Sequence, residues 1–313
     1  MHSRRCLVLG SGGFIGRHVM HDAALLRTQL GARAIPAPAG LDIRDPIAVR
    51  TLVDHCKPDY LIHLAAATFV PDSVTDPTTN YQINFSGTLN VLTALANAGF
   101  AGRMLFVSSA EVYGAVDESD LPVREAQPFA PRTPYAVSKA AGELLCLQHH
   151  LARGLDVCIV RPFNVIGPGQ SSKFAVSSFA RQIARLEAEG GGVLEVGNLD
   201  VTRDFVDVDD AVAAFLAILN CGHTGEAYNL CSGEETAMAT LLERLRALAS
   251  VPVRIAVDPA RVRPAEQRRV RGDHAKLTDH TGWRPQRRLP ETLTSILSDW
   301  RTRMATRGTG GRP

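Results

Sequence analysis

The stretch VLGSGGFIGRHV, residues 8–19, sets Gly10, Gly13 and Gly16 at three-residue intervals between a short apolar run and a helical pattern. No other feature constrains the fold as much. Glycine permits a tight turn out of a strand and lets another group approach the backbone, while the next helix offers unpaired N–H groups at the positive end of its dipole. Strand, GxxGxxG loop and helix in that order form a cradle for the pyrophosphate of a dinucleotide, and they place the first strand inside a parallel sheet whose carboxyl edge carries the ligand. Gly10, Gly13, Phe14, Ile15 and Gly16 are the expected contacts.

Beyond the loop, β-rich runs alternate with helical patterns: CLVLG with a helix over 14–30, YLIHLA (60–65) with 80–98, MLFVSS (104–109) with 134–152, and then LDVCIVRP (155–162). Apolar strands separated by helices belong to a parallel sheet covered on both faces. The pattern predicts an α/β fold, a Rossmann-type doubly wound parallel sheet over 1–167. After Pro168 the alternation loosens into a helix near 173–189, a triple-glycine break at 190–192 and RDFVDVDDAVAAFLAIL (203–219). One more strand, AYNLCSG (227–233), and an amphipathic helix near 236–249 follow. Residues 168–313 are expected to form mainly a smaller C-terminal lobe, with the chain returning to the first unit at about 202–232. The tail TRMATRGTGGRP (302–313) has little apolar surface to bury and is expected to be disordered.

With 313 residues, 45% of them apolar and 21% charged, the chain can bury a large core, and its net charge of +2 supplies no field suited to nucleic acid or an acidic membrane. No run approaches the roughly 20 apolar residues of a membrane span, and the basic start MHSRRCLVLG meets glycines before a secretory segment can form. Six scattered cysteines without a CxxC pair argue against a metal or disulfide framework and for a reduced cytoplasmic setting.

Cofactor choice turns on the exit of the second strand, where an acid binds the ribose 2′-hydroxyl of NAD and a basic side chain the 2′-phosphate of NADP. ARAIPAPAGLDIRD (32–45) has neither at that place. Arg17 and Arg33 are either phosphate partners or ordinary surface charge, Asp42 is assigned to the adenine, and NADPH and NADH both stay open. Further on, TPYAVSKAAGE sets Tyr135 and Lys139 four residues apart, on one face of a helix. A phenol of pKa about 10 is idle near neutrality, but a neighbouring ammonium and an oxidised nicotinamide both favour phenolate and make the pair usable acid–base machinery. Ser109, at the end of MLFVSS, is the candidate hydrogen-bond donor to a substrate carbonyl, with Ser108 as its competitor. His63 is expected to be a packed strand-end residue rather than a catalyst.

Together with HLAA (63–66), NFSGTLNVL (84–92), SSAEVYG (108–114), RPFNVIGPG (161–169) and RDFVDVDDAV (203–212), these motifs resemble the extended short-chain dehydrogenase/reductases that act on nucleotide sugars, over about residues 4–300. LDVTRDFVDV, YNLCSGEE, RPAEQRRVRGDHAKL, TGWRP and ILSDW resemble the branch that reduces a GDP-linked 4-keto-6-deoxy sugar. The resemblance implies that Asp42, Ile43, Leu64, Ala65, Ala66, Tyr135, Lys139 and Pro162 join the glycine loop at the cofactor. It implies that Arg203 and Arg263 bind the substrate pyrophosphate, for which forked guanidinium groups are suited. Glu266 would hold the nucleoside ribose, Asn164 would lie against the diphosphate, and Lys173 and Arg181 would line the groove. The run RRVR (268–271) reads as a solvated face. Helices near 84–98 and 134–152 would pair with a second copy in a homodimer through a four-helix interface.

Three functions follow. The favoured one is NAD(P)H-dependent reduction of the C4 ketone of GDP-4-keto-6-deoxy-D-mannose, with Tyr135 giving the proton, Lys139 tuning it and Ser109 orienting the carbonyl. The product is GDP-D-rhamnose or, with the other ring face to the cofactor, GDP-6-deoxy-D-talose. The second is GDP-mannose 4,6-dehydratase, because Glu111 falls where such dehydratases carry the glutamate that removes the C5 proton. The shorter chain, the absence of an arginine-rich stretch after the second strand and the late motifs weigh against it, so Glu111 is expected near the sugar as an orienting or vestigial carboxylate not required for hydride transfer, with a catalytic role as the alternative. The third, a non-catalytic nucleotide sensor, is disfavoured by the presence of both Tyr135 and Lys139.

Overall fold

The computed structural model describes residues 3–261 and 267–309. The chain begins with β1 (Arg4–Leu9), buried from Cys6 onward, and passes through the glycine loop into α1 (Phe14–His21). The single helix expected over 14–30 breaks at Asp22, whose side chain accepts from Leu25 N and so starts α2 (Ala23–Leu30). β2 (Ala32–Pro36), α3 (Pro46–Cys56) and β3 (Tyr60–His63) follow. Where one helix was expected over 80–98, α4 (Val70–Thr75) and α5 (Pro77–Tyr81) lead through a π-helical turn, Gln82–Ser86, into α6 (Gly87–Asn97). Then come β4 (Arg103–Val107), α7 (Pro134–Arg153) and β5 (Asp156–Pro162). Thr133 caps α7 by accepting from Ala136 N, and Gly154 ends it in the left-handed conformation.

The later elements are β6 (Asn164–Ile166), α8 (Ala175–Glu189), β7 (Gly192–Val196), β8 (Thr202–Asp207), α9 (Val208–Cys221), β9 (Ala227–Leu230), β10 (Glu235–Ala237), α10 (Met238–Ala247), β11 (Val253–Val257), α11 (Ala275–Thr281) and α12 (Leu289–Thr309). The main sheet runs β2-β1-β3-β4-β5-β9 with every pairing parallel, and β9 lies against β5 from Ile159↔Ala227 to Pro162↔Leu230. Strand order reverses between β1 and β3, and a cleft opens at the carboxyl ends of strands at such a point. Two small sheets, β10-β8-β6 and β11-β7, belong to the later part of the chain.

A separate core forms the lobe, built on Phe179 and Ile183 of α8, Leu194 of β7, Leu241 and Leu245 of α10, and Ile296 and Trp300 of α12. The sheet's own core takes back Phe215 and Leu216 of α9, Tyr228 of β9 and, unforeseen, Leu277 of α11 with Trp283. The tail does not fray at 302: α12 continues to Thr309, and residues 310–313 lie outside the described part. Arg301 forks Glu187 at 2.7 and 2.8 Å, Arg303 pairs with Asp299 one turn back, and Met304 packs on the lobe core, which offsets the low apolar content of this segment. Among the described residues no helix is long and apolar enough to cross a membrane.

Candidate active site

The expected cofactor positions gather at the carboxyl edge of the main sheet. Gly10 has φ 83°, and a Cβ there would lie 2.7 Å from Ala65 N. A Cβ at Gly16 would lie 2.2 Å from Gly10 O, so α1 can sit this close to the loop only without a side chain. Gly13 caps α1 with no side-chain hydrogen bond, which leaves first-turn N–H groups for an anion. A dinucleotide pyrophosphate fits this cradle. Phe14 and Ile15, half-buried, open the helix above it, and Leu64 leaves β3 with its N–H donated to Leu9 O at 2.9 Å, carrying Ala65 and Ala66 alongside.

Ile43 is buried beneath α6, where Gly87 leaves room for it. Asp42 is exposed and forked by Arg44 at 2.6 to 2.9 Å, which holds its carboxyl below the usual range. Pro162 ends β5 opposite Leu230. At the exit of β2, Ala37 N donates to Val8 O and Ser11 Oγ to Ala37 O at 3.4 Å; the segment Pro36–Gly40 carries no charge. Of the two candidate phosphate partners, Arg17 is committed to Gly12 O and Gly169 O, both at 2.9 Å, and Arg33 is exposed on β2 opposite Arg5.

Ser109 N-caps a 3₁₀ turn, Ala110–Tyr113, by accepting from Glu111 N at 3.2 Å, and its hydroxyl lies beside the phenol of Tyr135 in the first turn of α7. Its competitor Ser108 is 3% exposed and donates to Glu143, so Ser109 is the one that meets the phenol. Burial pushes Tyr135 up to about 12; the hydrogen bond with Ser109 works against this and the exposed Glu111 carboxylate adds to it. Lys139, expected to tune the phenol, is buried on the same helix, α7. Its Nζ donates to Val107 O at 2.7 Å and lies 5.2 Å over the Phe106 ring, and burial brings it down to about 8 against the Cys146 and Glu143 groups. Burial thus favours the protonated form of the phenol.

Behind these residues lies a polar scaffold that motif reasoning missed. Asn84, in the π-helical turn, accepts from Ala67 N and donates to Ala67 O and Ser138 Oγ, and Ser138 donates to Tyr135 O. Such turns often mark functional positions. Glu143, one turn after Lys139, is forked by Arg161 at 2.7 to 3.1 Å, and Arg161 also donates to Tyr113 Oη at 2.8 Å. Tyr113 in turn donates to Asn229 of β9 at 2.6 Å. The readable signal was Arg161 inside the apolar run LDVCIVRP, since a buried charge requires a partner. His63 is the packed residue expected: its Nε2 meets Thr88 Oγ1 at 3.1 Å, and burial, then the Lys139 charge, push it down to about 3.

On the substrate side the expected residues disperse. Asn164 donates to Asp204 O at 3.0 Å, tying β6 to β8, and Arg203 donates to Gln267 O at 2.9 Å. Lys173 pairs with Asp72 at 2.7 Å and lies over Phe69, whose ring meets Phe174 edge-on. This joins the start of the lobe to α4, where Ser73 Oγ accepts from Tyr135 N at 3.3 Å. Arg181 donates to Ser172 Oγ and shares a surface cleft of about 260 Å³ with Arg185, Glu195 and Arg261. Arg263 and Glu266 lie outside the described residues. The RRVR run is more than a solvated face: Arg269 forks Glu235 at 2.7 and 2.8 Å, and Arg268 O accepts from Thr202 N.

Comparison with known proteins matches residues 38–296 to the family described as GDP-mannose 4,6 dehydratase. The chain is 46% identical to GDP-6-deoxy-D-mannose reductase of Pseudomonas aeruginosa over 303 residues, 96% of this chain and 99% of that one. It is 32% identical to dTDP-glucose 4,6-dehydratase of Streptomyces antibioticus, over 94% of this chain and 91% of the relative. Among solved structures, RMD from Pseudomonas aeruginosa complexed with NADPH superposes with a TM-score of 0.86 at 44% identity, covering 96% of this chain and 98% of the other. The chain therefore belongs to the GDP-mannose 4,6 dehydratase family, among the extended short-chain dehydrogenase/reductases of nucleotide sugars.

Proposed function

We propose that the protein reduces the C4 ketone of GDP-4-keto-6-deoxy-D-mannose to GDP-D-rhamnose, using NADPH or NADH. The observation that carries this is the buried Ser109–Tyr135 pair beside the glycine cradle, in a chain 46% identical to a GDP-6-deoxy-D-mannose reductase. The nicotinamide, when bound, supplies the hydride. Tyr135, kept protonated by burial, gives its proton to the oxygen that becomes the C4 hydroxyl, and Ser109 hydrogen-bonds that oxygen. Lys139, anchored on Val107 O, places a cation beneath the reacting groups, and Asn84 with Ser138 holds the start of α7 in register. In this reading Arg203, Arg263, Glu266, Asn164, Lys173 and Arg181 are the candidates to receive the GDP moiety; Asn164 and Arg203 would do so from β6 and β8, where they already donate to Asp204 O and Gln267 O.

The family's name and the charge of Glu111 beside Tyr135 support a second reading, dehydration of GDP-mannose. One set of incubations separates them: GDP-mannose alone, and the 4-keto-6-deoxy sugar with NADPH or NADH, with products identified by mass and NMR. Conversion of only the keto sugar, with the rhamno configuration at C4, is the expected result. Water loss from GDP-mannose without added reductant overturns it, and a talo product reverses the ring face.

The same proposal includes a homodimer. Val137, Leu144, Leu147 and Leu151 are exposed along α7, as are Tyr81 at the end of α5, Phe85 in the π-helical turn and Leu89 in α6. A stripe repeating at 137, 144 and 151 is the spacing of a helix seam. Leu144→Glu with Leu151→Glu should give a monomer by light scattering; a wild-type monomer at micromolar concentration contradicts the pairing.

A further inference from the structure

Two consecutive side chains of α1 fasten the cofactor helix to the segment that leads from β6 into α8. Arg17 reaches Gly169 O, as described. His18 Nε2 lies 2.8 Å from Pro168 O, and its Nδ1 lies 3.2 Å from a carboxylate oxygen of Asp209 in the first turn of α9. The Phe14 ring meets the imidazole edge-on at 5.6 Å. From the far side, Gly169 N donates to Asp299 of α12 at 2.9 Å, and Asp299 is paired with Arg303 at 2.8 Å. Gly167 sits so close to α9 that a Cβ would lie 2.4 Å from Val208 Cγ1. Cofactor helix, crossover and both later helices thus meet at one point.

A carbonyl and a carboxylate are acceptors only. A neutral imidazole, with one N–H, satisfies one of them; the doubly protonated ring satisfies both. Turning the ring over would set carbon atoms against both acceptors. The charged groups around it are Asp209, Arg287 at 3.3 Å from Asp209, Arg17 on the same helix, and Asp299 and Arg303 of α12. Imidazole is the side-chain type among these that changes charge between pH 5 and 8.

We propose that His18 is a positioning residue whose doubly protonated ring locks α1 to the crossover at Pro168 and to α9 at Asp209, aligning the helix N–H groups that meet the cofactor pyrophosphate. This rests on the dinucleotide reading of the glycine loop and is independent of which sugar is reduced. The dissociation constant of NADH, whose pyrophosphate does not titrate in this range, is measured by nicotinamide fluorescence from pH 6 to 8.5 in wild type, His18→Gln and Asp209→Asn. Wild-type affinity should weaken about fivefold as pH rises, the worth of one hydrogen bond. His18→Gln should bind weakly at every pH. Asp209→Asn should bind well at every pH, because a carboxamide N–H can donate to the neutral ring. Equal pH slopes in wild type and His18→Gln, or a wild-type affinity that does not change with pH, would overturn the proposal. No sugar substrate is present, so this failure is distinct from failure of the reductase reading.

Discussion

Lys139→Met should abolish efficient turnover and at the same time leave the protein as stable as wild type or more so. Burial takes the lysine from its ordinary 10.5 to about 8, a difference of about 2.5, and at roughly 1.4 kcal/mol per pH unit the charged form costs about 3 kcal/mol at pH 7. Methionine removes that cost but leaves Val107 O without its donor, a loss of about 1–3 kcal/mol. The net gain at pH 7 is then about 0–2 kcal/mol. The pH dependence isolates the electrostatic part. Above the folded value near 8 the native state has released this proton while the unfolded chain, up to about 10.5, still holds it. Native stability therefore rises with pH across that window. Urea denaturation from pH 7 to 10 should show wild type gaining roughly 2–3 kcal/mol relative to Lys139→Met. Parallel curves for the two proteins would show that Lys139 is not the strained cation described, whatever happens to activity.

Tyr135→Phe should reduce kcat by roughly 10²–10⁴ while shifting the melting temperature little, since one hydrogen bond to Ser109 is lost; retention of more than a tenth of the activity contradicts its role as proton donor. Glu111→Gln removes a charge that opposes phenolate from an exposed position, so ketone reduction at pH 7 should stay within about threefold, whereas a fall of about 100-fold with normal melting would make Glu111 part of the chemistry. Ala37→Asp places an acid at the uncharged exit of β2 and should move the kcat/KM ratio about tenfold or more toward NADH; an unchanged ratio would mean that the ribose lies elsewhere.

Much of the sheet could be read in advance because its strands are nearly all apolar, and the glycine loop marks where the first of them ends. The breaks inside helices could not. Asp22 looks like any polar residue in a helical run until its carboxylate is seen capping α2, and nothing in NFSGTLNVL distinguishes a π-helical turn from an ordinary one. At the site, Tyr135 and Ser109 could each be named from their motifs, and the fold brings them side by side. The direction of Lys139 could not be read, since helical spacing sets a face and burial decides where on that face an ammonium finds an acceptor. Arg269 illustrates the same gap: its partners Glu118 and Glu235 are remote in sequence, and only the fold turns a charge run into a strap. The start of the tail is held by what composition does not weigh: Arg301 on Glu187, Arg303 on Asp299, and Met304 against the lobe core.

The two cores are laced together by the chain itself. After β5 the chain feeds the lobe with α8 and β7, the sheet with α9 and β9, the lobe with α10 and β11, the sheet with α11 and Trp283, and the lobe again with α12. That is five crossings. No single cut can release either half intact, and any shortening from the carboxyl end strips first the lobe and then the sheet. A protease nick in a surface loop should leave the two parts held together, and heat should melt them in one transition.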